Sequence, residues 1–274
     1  MRNINVFGVV NDRMATANLS GGTVKSAATL LSIMEGIQDL NGVRVTELAD
    51  HLDVSKSTVH RHLSTLEANE YVVQEGDTYH LGLRFLGLGE YVRERNPVYT
   101  MARSIVDQLA EETEERALFM AEEHGRAIYL YRGLGAHAVR TNSKIGTRRY
   151  LHTIAGGKAM LAHLPDERVD AIIDRWGLSP ETATTITDRE ELTTELERVR
   201  ERGVAFNREE CIDGLQAVGA PVLGPDGTVV GALSVSGPMH RMKGEWLEEE
   251  IPDLLLGSAN ELELNLKYAP GTGT

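Results

Sequence analysis

The sequence predicts an α+β protein made of an N-terminal winged helix-turn-helix, a linker helix and a C-terminal α/β domain with an antiparallel sheet. Three observations predict this fold class. Residues 45–66 contain two short amphipathic helical patterns separated by a tight turn, and two short strand patterns follow within 71–81. From residue 98 onward, helical and strand patterns alternate along the chain.

The same patterns predict the domain boundaries. We expect a disordered lead over 1–22, the winged domain over 23–84, the linker helix over 85–97, the second domain over 98–268 and a loose tail over 269–274. The lead lacks the long apolar stretch of a signal peptide, and Met14 is an alternative translation start. No apolar run reaches the roughly 18 residues that cross a bilayer, so we expect a cytoplasmic protein with no membrane partner.

Composition narrows the class of protein. The 274 residues carry a formal net charge of −13, which disfavours a nucleic-acid partner. A carboxylate-rich surface is also typical of proteins from a high-salt cytoplasm, where salt screens charge and weakens counterion release on DNA binding. We therefore interpret the chain as halophilic, which predicts that folding fails below about molar salt. Cys211 is the only cysteine, so disulfides within the chain are excluded.

The winged domain begins with a helix predicted over 24–38, and Gly42 ends it because glycine readily takes a positive φ. The next helix is predicted from the apolar face formed by Val45, Leu48, Ala49 and Leu52, with Thr46 as its N-cap. Asp53 and Val54 form the turn into a second short helix.

Ser55 is the predicted N-cap of that second helix, in which Val59, Leu63 and Leu66 share one apolar face. Its other faces carry hydroxyls and cations that suit base edges or phosphates in the major groove. The same pattern also fits an ordinary helical hairpin with a solvated polar face. Two strands around Gly76 complete the wing, where Glu75 and Asp77 predict little phosphate contact.

Three stretches of the first half of the chain resemble a known family. The strings VKSAATLLSIMEGI, VTELADHLDVSKSTVHRHLSTLEANEYVV and YHLGLRFLGLG resemble the DNA-binding half of the IclR (isocitrate lyase regulator) family of transcription factors. That family commonly has glycine where this chain has Glu70. The pattern and the resemblance together give the DNA-binding candidates Thr46, Ser55, Lys56, Ser57, Thr58, His60, Arg61 and Ser64.

The second half starts after a connecting helix at 84–95, which Asn96 and Pro97 end. The predicted helices cover 98–111, 157–163, 167–176, 188–202 and 245–267, the last with a break near Pro252. The main predicted strands cover 118–122, 127–131, 216–223 and 229–235.

Ala155, Gly156 and Gly157 stand just before a predicted helix and are the most informative stretch of this half. Backbone N–H groups at a helix start bind anions, and glycine allows a ligand to approach closely. A small carboxylate suits this stretch better than a nucleotide, since the P-loop spacing is absent. The alternative is a tight turn that binds nothing. Arg148 and Arg149 either steer an anion inward or are simply solvated.

The strings IGTRRYLHTIAGGKAMLAHL and RGVAFNREECIDGLQAVGAPVLGPDGTVVGALSVSGP resemble the effector domain of the same family. The resemblance implies a sensor domain of GAF or PAS type, with its ligand pocket between the glycine loop and the sheet. Ser234 and Ser236, two apart on a predicted strand, share a face. The effector-binding candidates are Ala155, Gly156, Gly157, Met160, Asn207, Ala217, Ser234 and Ser236.

Other reactive side chains give no catalytic or metal site. Cys211 suggests a nucleophile with His152 or His240, but nothing in the sequence places a base and an oxyanion donor around it. His60 and His62 fall on different helix faces, which disfavours a shared metal ion. We therefore expect no catalytic residues, no metal and no cofactor.

The functional interpretation is a ligand-responsive transcriptional regulator. We expect double-stranded operator DNA as one partner, bound by a homodimer or a dimer of dimers, and a small-molecule effector, a carboxylate or aromatic metabolite, as the other. The alternative is a metabolite-binding protein or small-acid enzyme with a vestigial winged domain, which the acidic charge favours. The sequence does not distinguish a repressor from an activator.

Overall fold

The computed structural model describes residues 22–139, 141 and 143–268 of the chain. They form two compact units whose boundary lies between Glu90 and Tyr91. The predicted disordered lead apart from residue 22, the alternative start at Met14 and the tail at 269–274 lie outside these ranges. No helix in the described ranges is long and apolar enough to span a bilayer.

The first unit is a winged helix-turn-helix, as the sequence predicts. Ile33, Leu48, Val59, Leu63 and Tyr79 are buried in its core, because helical and strand periodicity turn them to the same side. Its elements are α1 (Lys25–Asp39), α2 (Val45–Leu52), α3 (Lys56–Ala68), β1 (Val72–Glu75) and β2 (Thr78–Leu81).

The start of α2 differs from the prediction. Its N-cap is Arg44, and the Arg44 N–H donates to the Glu47 carboxylate at 3.0 Å. Thr46 is an exposed residue inside the helix, so its predicted capping role is wrong. Glu47, three residues after the N-cap, caps the helix through its carboxylate. Its negative charge is also favourable at the positive end of the helix dipole.

The turn between α2 and α3 follows the prediction. Asp53 ends α2 in the left-handed region with φ 52°, which Asp tolerates better than most residues. The Ser55 hydroxyl then accepts a hydrogen bond from the Thr58 N–H at 3.2 Å. This cap sets the point at which α3 begins and therefore which of its side chains face outward.

Glu70 occupies a backbone conformation that favours glycine. Its φ is 63°, at the exit of α3 into the wing. A left-handed non-glycine residue costs about 1 kcal/mol. The Tyr71 N–H donates to the Leu66 carbonyl at 2.8 Å and holds the turn in place. Glycine, which is common at this position in the resembled family, adopts a positive φ without this cost.

A long connecting helix, α4 (Arg84–Glu94), contains the boundary between the two units. None of its residues is buried, although several are apolar. Leu86 and Tyr91 are each 69% exposed, and Leu88 and Val92 are also exposed.

The second unit is built on a six-stranded sheet in the order β5-β4-β3-β8-β7-β6, with every neighbouring pair antiparallel. This confirms the predicted antiparallel sheet. Its strands are β3 (Arg116–Glu123), β4 (Arg126–Leu134), β5 (Arg148–Tyr150), β6 (Ala205–Arg208), β7 (Leu215–Leu223) and β8 (Val229–Pro238).

Helices cover both faces of this sheet. They are α5 (Pro97–Thr113), α6 (Ala155–Leu161), α7 (Asp166–Trp176), α8 (Arg189–Arg202) and α9 (Ile251–Tyr268). Along β3, Ala117 and Phe119 pack in the core that α5 and α9 share, while Leu118 and Met120 pack in the core that α6, α7 and α8 share. Successive strand residues point to opposite faces, so β3, β4, β6 and β8 contribute to both cores.

The break predicted near Pro252 is a π-helical turn. It covers Trp246–Glu250, and α9 follows with Pro252 as its second residue. Proline lacks an N–H, so it is tolerated best in the first turn of a helix.

Candidate functional site

The outward face of α3 is polar. Val59, Leu63 and Leu66 are buried against the first core, as the periodicity predicts. Several exposed side chains of α3 recur at intervals of three and four residues and therefore share one face. The predicted candidates among them are Lys56, Ser57, His60, Arg61 and Ser64.

Hydroxyl groups cluster at the N-terminus of α3. The Ser55 hydroxyl lies 2.9 Å from that of Ser57 and 2.8 Å from that of Thr58. The Ser64 hydroxyl donates to the His60 carbonyl at 3.0 Å. Those four hydroxyls therefore already have a partner within the helix.

The cations of α3 have no such partner. Across the described ranges, neither Lys56 nor Arg61 forms an ion pair with a carboxylate, although both are exposed. An extended guanidinium with free donors suits guanine edges and phosphates. The structure therefore leaves these two exposed cations without a carboxylate partner among the described residues.

An ion pair joins the start of α2 to the tip of the wing. The Arg44 Nε lies 2.9 Å from the Asp77 Oδ2 at the tip of the hairpin, and both side chains are exposed. The hairpin turns at Gly76, whose φ is 64°. Exposed ion pairs contribute little stability, so the main effect of Asp77 is to neutralise the Arg44 guanidinium.

Asp77→Asn is expected to strengthen DNA binding. Releasing Arg44 adds one phosphate contact, which steepens the slope of log affinity against log salt by about 0.9. Fluorescence anisotropy over a series of salt concentrations measures both the affinity and the slope. Asp213→Asn, which makes the same charge change in the second unit, serves as the control. An identical slope in Asp77→Asn and the control contradicts a role for Arg44 at the duplex.

A narrow cavity, partly open to solvent, lies on the sheet of the second unit. Its floor follows one row of the antiparallel register. Asn207 pairs with Ala217, Ala217 with Ser236, and Ser236 with Arg116 across four neighbouring strands. Directly opposed residues in a sheet stand with neighbouring side chains on the same face. This register is what brings residues more than a hundred positions apart into one site.

Five of the eight predicted effector-binding residues line this cavity. Two of them, Ser234 and Ser236, are buried and lie on the same face of β8, as their spacing predicts. The Ser234 hydroxyl donates to the Val218 carbonyl at 2.8 Å, which leaves its lone pairs available. The five are Ala155, Asn207, Ala217, Ser234 and Ser236.

The other three, Gly156, Gly157 and Met160, lie outside the cavity lining. A Cβ on Gly156 would lie 2.7 Å from the Met120 sulfur, and one on Gly157 would overlap the Leu151 carbonyl. Met160 is buried in the core beneath α6. These glycines let α6 pack closely on its neighbours, and their predicted role in ligand approach stays a prediction.

Arg116, Tyr129 and Arg149 line the cavity and were not among the predicted residues. A signal for Arg116 does exist in the sequence. It lies two and four residues before Leu118 and Met120 in the same strand, and so shares their inward face. Arg149 is one of the two arginines whose role the sequence leaves open, and it is largely buried at the cavity.

Arg116 is a buried cation held only by neutral groups. Its Nε donates to the Ser236 hydroxyl at 2.9 Å, and an Nη donates to the Thr141 hydroxyl. Within the part of the chain that the structure describes, no carboxylate lies within ion-pair distance of it. Burial lowers the pKa of Arg116 from its usual value, although a guanidinium stays protonated. An anion in the cavity would supply the missing counter-charge.

Cys211 also lines the cavity but is not a nucleophile. Burial, with the nearby Glu181 adding to it and Arg149 opposing it, raises the pKa of the Cys211 thiol to about 12. A thiol with such a pKa carries almost no thiolate at neutral pH. No group of three or more potential metal ligands is found among the residues in the described ranges.

A buried ion pair supports the cavity wall. Asn207 donates to the Thr153 carbonyl and accepts from the Glu210 N–H at 3.1 Å. Glu210 in turn accepts two hydrogen bonds of 2.7 Å from the Lys158 ammonium, which is 1% exposed. These contacts tie α6 to the end of β6 and hold Asn207 at the cavity.

His152 gives the second unit a specific pH dependence. Burial lowers its pKa below the usual 6.5, while its bond to the Ser179 carbonyl partly opposes this shift. The unfolded chain then takes up a proton before the folded chain does. Stability is fully present above the unfolded pKa and is lost as the pH falls through the folded pKa.

His152→Gln is expected to flatten that dependence, because glutamine can donate to the same carbonyl without titrating. Urea midpoints measured from about pH 7.5 to about pH 5 compare the two proteins. We expect the wild type to lose stability relative to the variant below about pH 6.5. Parallel curves would mean that His152 does not titrate differently in the folded and unfolded chains.

Comparisons with protein families cover most of the chain. Residues 26–76 match the family model described as IclR helix-turn-helix domain. Residues 90–263 match the family model described as bacterial transcriptional regulator IclR C-terminal. Both the α3 face and the cavity residues lie within these two ranges.

Individual relatives agree with these matches. The probable HTH-type transcriptional regulator ArcR of Halobacterium salinarum is 34% identical over 262 residues, which cover 94% of this chain and 100% of that protein. The crystal structure of Thermotoga maritima IclR has a TM-score of 0.75 at 26% identity, and the match covers 89% of this chain and 99% of that one. A third match is a double mutant of the Acinetobacter PobR inducer-binding domain in complex with 3-hydroxybenzoic acid. It has a TM-score of 0.55 at 26% identity, over 60% of this chain and 96% of that one.

Proposed function

The chain belongs to the IclR family of transcriptional regulators, and we propose that α3 reads its operator while a small carboxylate in the cavity changes its affinity for that DNA. The family match makes it a DNA-binding regulator with an effector-binding domain rather than an enzyme. The residues that contact DNA, the chemical class of the effector and the assembly are the proposal.

The DNA-binding part of the proposal rests on the exposed face of α3. Lys56 and Arg61 are solvent-exposed cations on that face, and His60 lies between them along the helix. The hydroxyls of Ser55, Ser57 and Thr58 cluster where a recognition helix enters the groove. In this arrangement the cations supply base and phosphate contacts, and the capped helix start orients them.

Pairing of two chains through α4 is the proposed assembly. A helix with no buried residue and with exposed Leu86, Leu88, Tyr91 and Val92 leaves apolar surface in water. Covering it with the same helix of a second copy gives a homodimer with two recognition helices, and further contacts give a dimer of dimers. Two recognition helices suit a palindromic operator.

The single observation that carries the effector proposal is Arg116, a buried cation in the cavity with hydroxyl partners but no carboxylate among the described residues. Uncompensated buried charge is costly, so a cation there points to an anionic ligand. Ser234 and Ser236 add polar groups on the cavity floor. The PobR inducer-binding domain, which binds a benzoic acid, supports a carboxylate effector.

We also propose that this regulator works in concentrated salt. Its formal net charge is −13, and a relative comes from Halobacterium salinarum. Salt at molar concentration screens repulsion between an acidic surface and DNA within a few ångströms. Binding assays therefore belong in concentrated potassium chloride.

A carboxylate titration tests the effector proposal. Acetate, propanoate and benzoate are added in turn to the protein bound to a fluorescent duplex from its own upstream region. We expect at least one of them to change the operator affinity and to raise the unfolding midpoint of the second unit. If none of them does either, the carboxylate proposal is wrong. Conversion of a carboxylate into another compound would support the enzyme alternative.

A further inference from the structure

Glu181 is a buried carboxylate behind the cavity, in the segment between α7 and α8. Its side chain is 8% exposed, and it does not line the cavity itself. Its Oε1 lies 3.9 Å from an Nη of Arg149, which does line the cavity. Among the described residues, neither oxygen of Glu181 has a hydrogen-bond donor in bonding geometry. The Arg149–Glu181 ion pair is therefore buried, its nitrogen–oxygen distance is long, and it is incompletely hydrogen-bonded.

The backbone holds Glu181 in this position. Its N–H donates to the Thr185 hydroxyl at 3.0 Å, and that hydroxyl donates to the Glu210 carbonyl at 2.7 Å. Two positions earlier, Ser179 accepts from His152. A buried and poorly bonded ion pair is weak evidence for a stabilising role, since desolvation offsets the attraction between its charges. Its position behind a cavity arginine points to a role in ligand selection.

Among the side chains that line the cavity and their ion-pair partners, one cation is uncompensated. Arg116 and Arg149 are the charged residues among those that line it, and the Glu181 carboxylate forms its ion pair with Arg149. Tyr129 and Cys211, which also line it, stay neutral because burial raises the pKa of each. Two cations and one carboxylate leave a single positive charge, and buried charges are screened little by salt.

We propose that Glu181 neutralises Arg149 and so restricts this cavity to effectors that carry a single carboxylate. The inference rests on the proposed carboxylate effector and adds the residue that sets the charge it accepts. With Glu181 in place, Arg116 binds one carboxylate of the ligand. A second carboxylate on the same ligand would lie near Arg149, whose charge Glu181 already neutralises. Without the Glu181 charge, Arg149 becomes a second anion site.

Glu181→Gln tests this selection directly. Calorimetric titration in concentrated potassium chloride compares three pairs that differ by one carboxylate: acetate with malonate, propanoate with succinate, and benzoate with terephthalate. The wild type is expected to bind the monocarboxylate of a pair more tightly. In Glu181→Gln the preference should shift toward the dicarboxylate by at least about tenfold.

Two further variants complete the test. Glu190→Gln removes an exposed carboxylate on α8 and should leave every preference unchanged. If Glu181→Gln fails to fold, the double variant Arg149→Gln, Glu181→Gln removes the whole pair, and it should keep the wild-type preference for monocarboxylates because Arg116 remains.

The outcomes separate the two proposals. If the wild type binds monocarboxylates but Glu181→Gln changes the preference by less than about twofold, the charge-selection role of Glu181 is wrong and the carboxylate effector stands. A double variant that loses the wild-type preference would also overturn the role of Glu181. If the wild type binds no carboxylate from the three pairs, both proposals fail together.

Discussion

Lys158→Met is expected to lower the free energy of unfolding of the second unit by about 3–5 kcal/mol. The variant leaves Glu210 without the ammonium that now donates to both of its oxygens at 2.7 Å. Burial already raises the pKa of Glu210, and Lys158 opposes that shift. Removing the lysine therefore leaves a buried carboxylate with only backbone partners.

The pH dependence of this loss has a definite sign. A glutamate whose folded pKa is raised binds its proton more tightly in the folded chain. The penalty is absent below the unfolded pKa of 4.5 and grows as the pH rises through the folded pKa. Lys158→Met is therefore expected to regain much of its stability in acid, where Glu210 is protonated.

Urea denaturation followed by tryptophan fluorescence measures this effect, because both tryptophans, Trp176 and Trp246, belong to the second unit. The double variant Lys158→Met, Glu210→Leu should recover most of the loss, since it removes both charges. Lys243→Met, at an exposed position, is the matched control. A single variant as stable as this control would show that the pair contributes nothing.

Arg116→Gln is expected to weaken binding of any carboxylate effector by about 10- to 100-fold, the usual value of a hydrogen bond to a charged group. Glutamine retains a donor for the Ser236 hydroxyl but loses the charge. Because the wild-type cation is buried without a carboxylate partner in the described ranges, the ligand-free variant should be at least as stable as the wild type.

This combination distinguishes a binding role from a structural one. Calorimetry gives the carboxylate affinity, and urea denaturation gives the stability of the ligand-free protein. Arg198→Gln on α8, whose side chain is 65% exposed, is the control for the change in charge. Unchanged affinity with reduced stability would mean that Arg116 supports the sheet and does not hold the effector.

Periodicity predicts the local features of both sites. The spacing of Val59, Leu63 and Leu66 places the polar face of α3 outward, and the two-residue spacing of Ser234 and Ser236 places both in the cavity. These relations depend only on the geometry of one helix or one strand. The sequence therefore predicts them without knowledge of the elements that pack against that helix or strand.

Strand pairing could not be predicted in the same way. Arg116 meets Ser236 because β3 pairs with β8, two strands separated by more than a hundred residues. Local patterns do not specify such a pairing, and therefore Arg116 was missed. The short strands β5 and β6 were missed for a related reason, since three or four residues carry little periodicity.

Glycine is ambiguous for a different reason. At Gly156 and Gly157, the sequence fits close approach of a ligand and close approach of the protein's own atoms equally well. The structure places Met120 and the Leu151 carbonyl there. A glycine indicates that another group approaches the backbone closely, and only the tertiary structure identifies that group.

The most direct test of DNA reading by α3 is fluorescence anisotropy in concentrated potassium chloride, with a duplex from the protein's own upstream region and a scrambled duplex of equal length. We expect the wild type to prefer the upstream duplex, and Arg61→Ala to lose about 10- to 100-fold of that preference. The control Arg198→Ala should behave as the wild type does. Equal binding of both duplexes by the wild type, or an unchanged preference in Arg61→Ala, would contradict the role of α3.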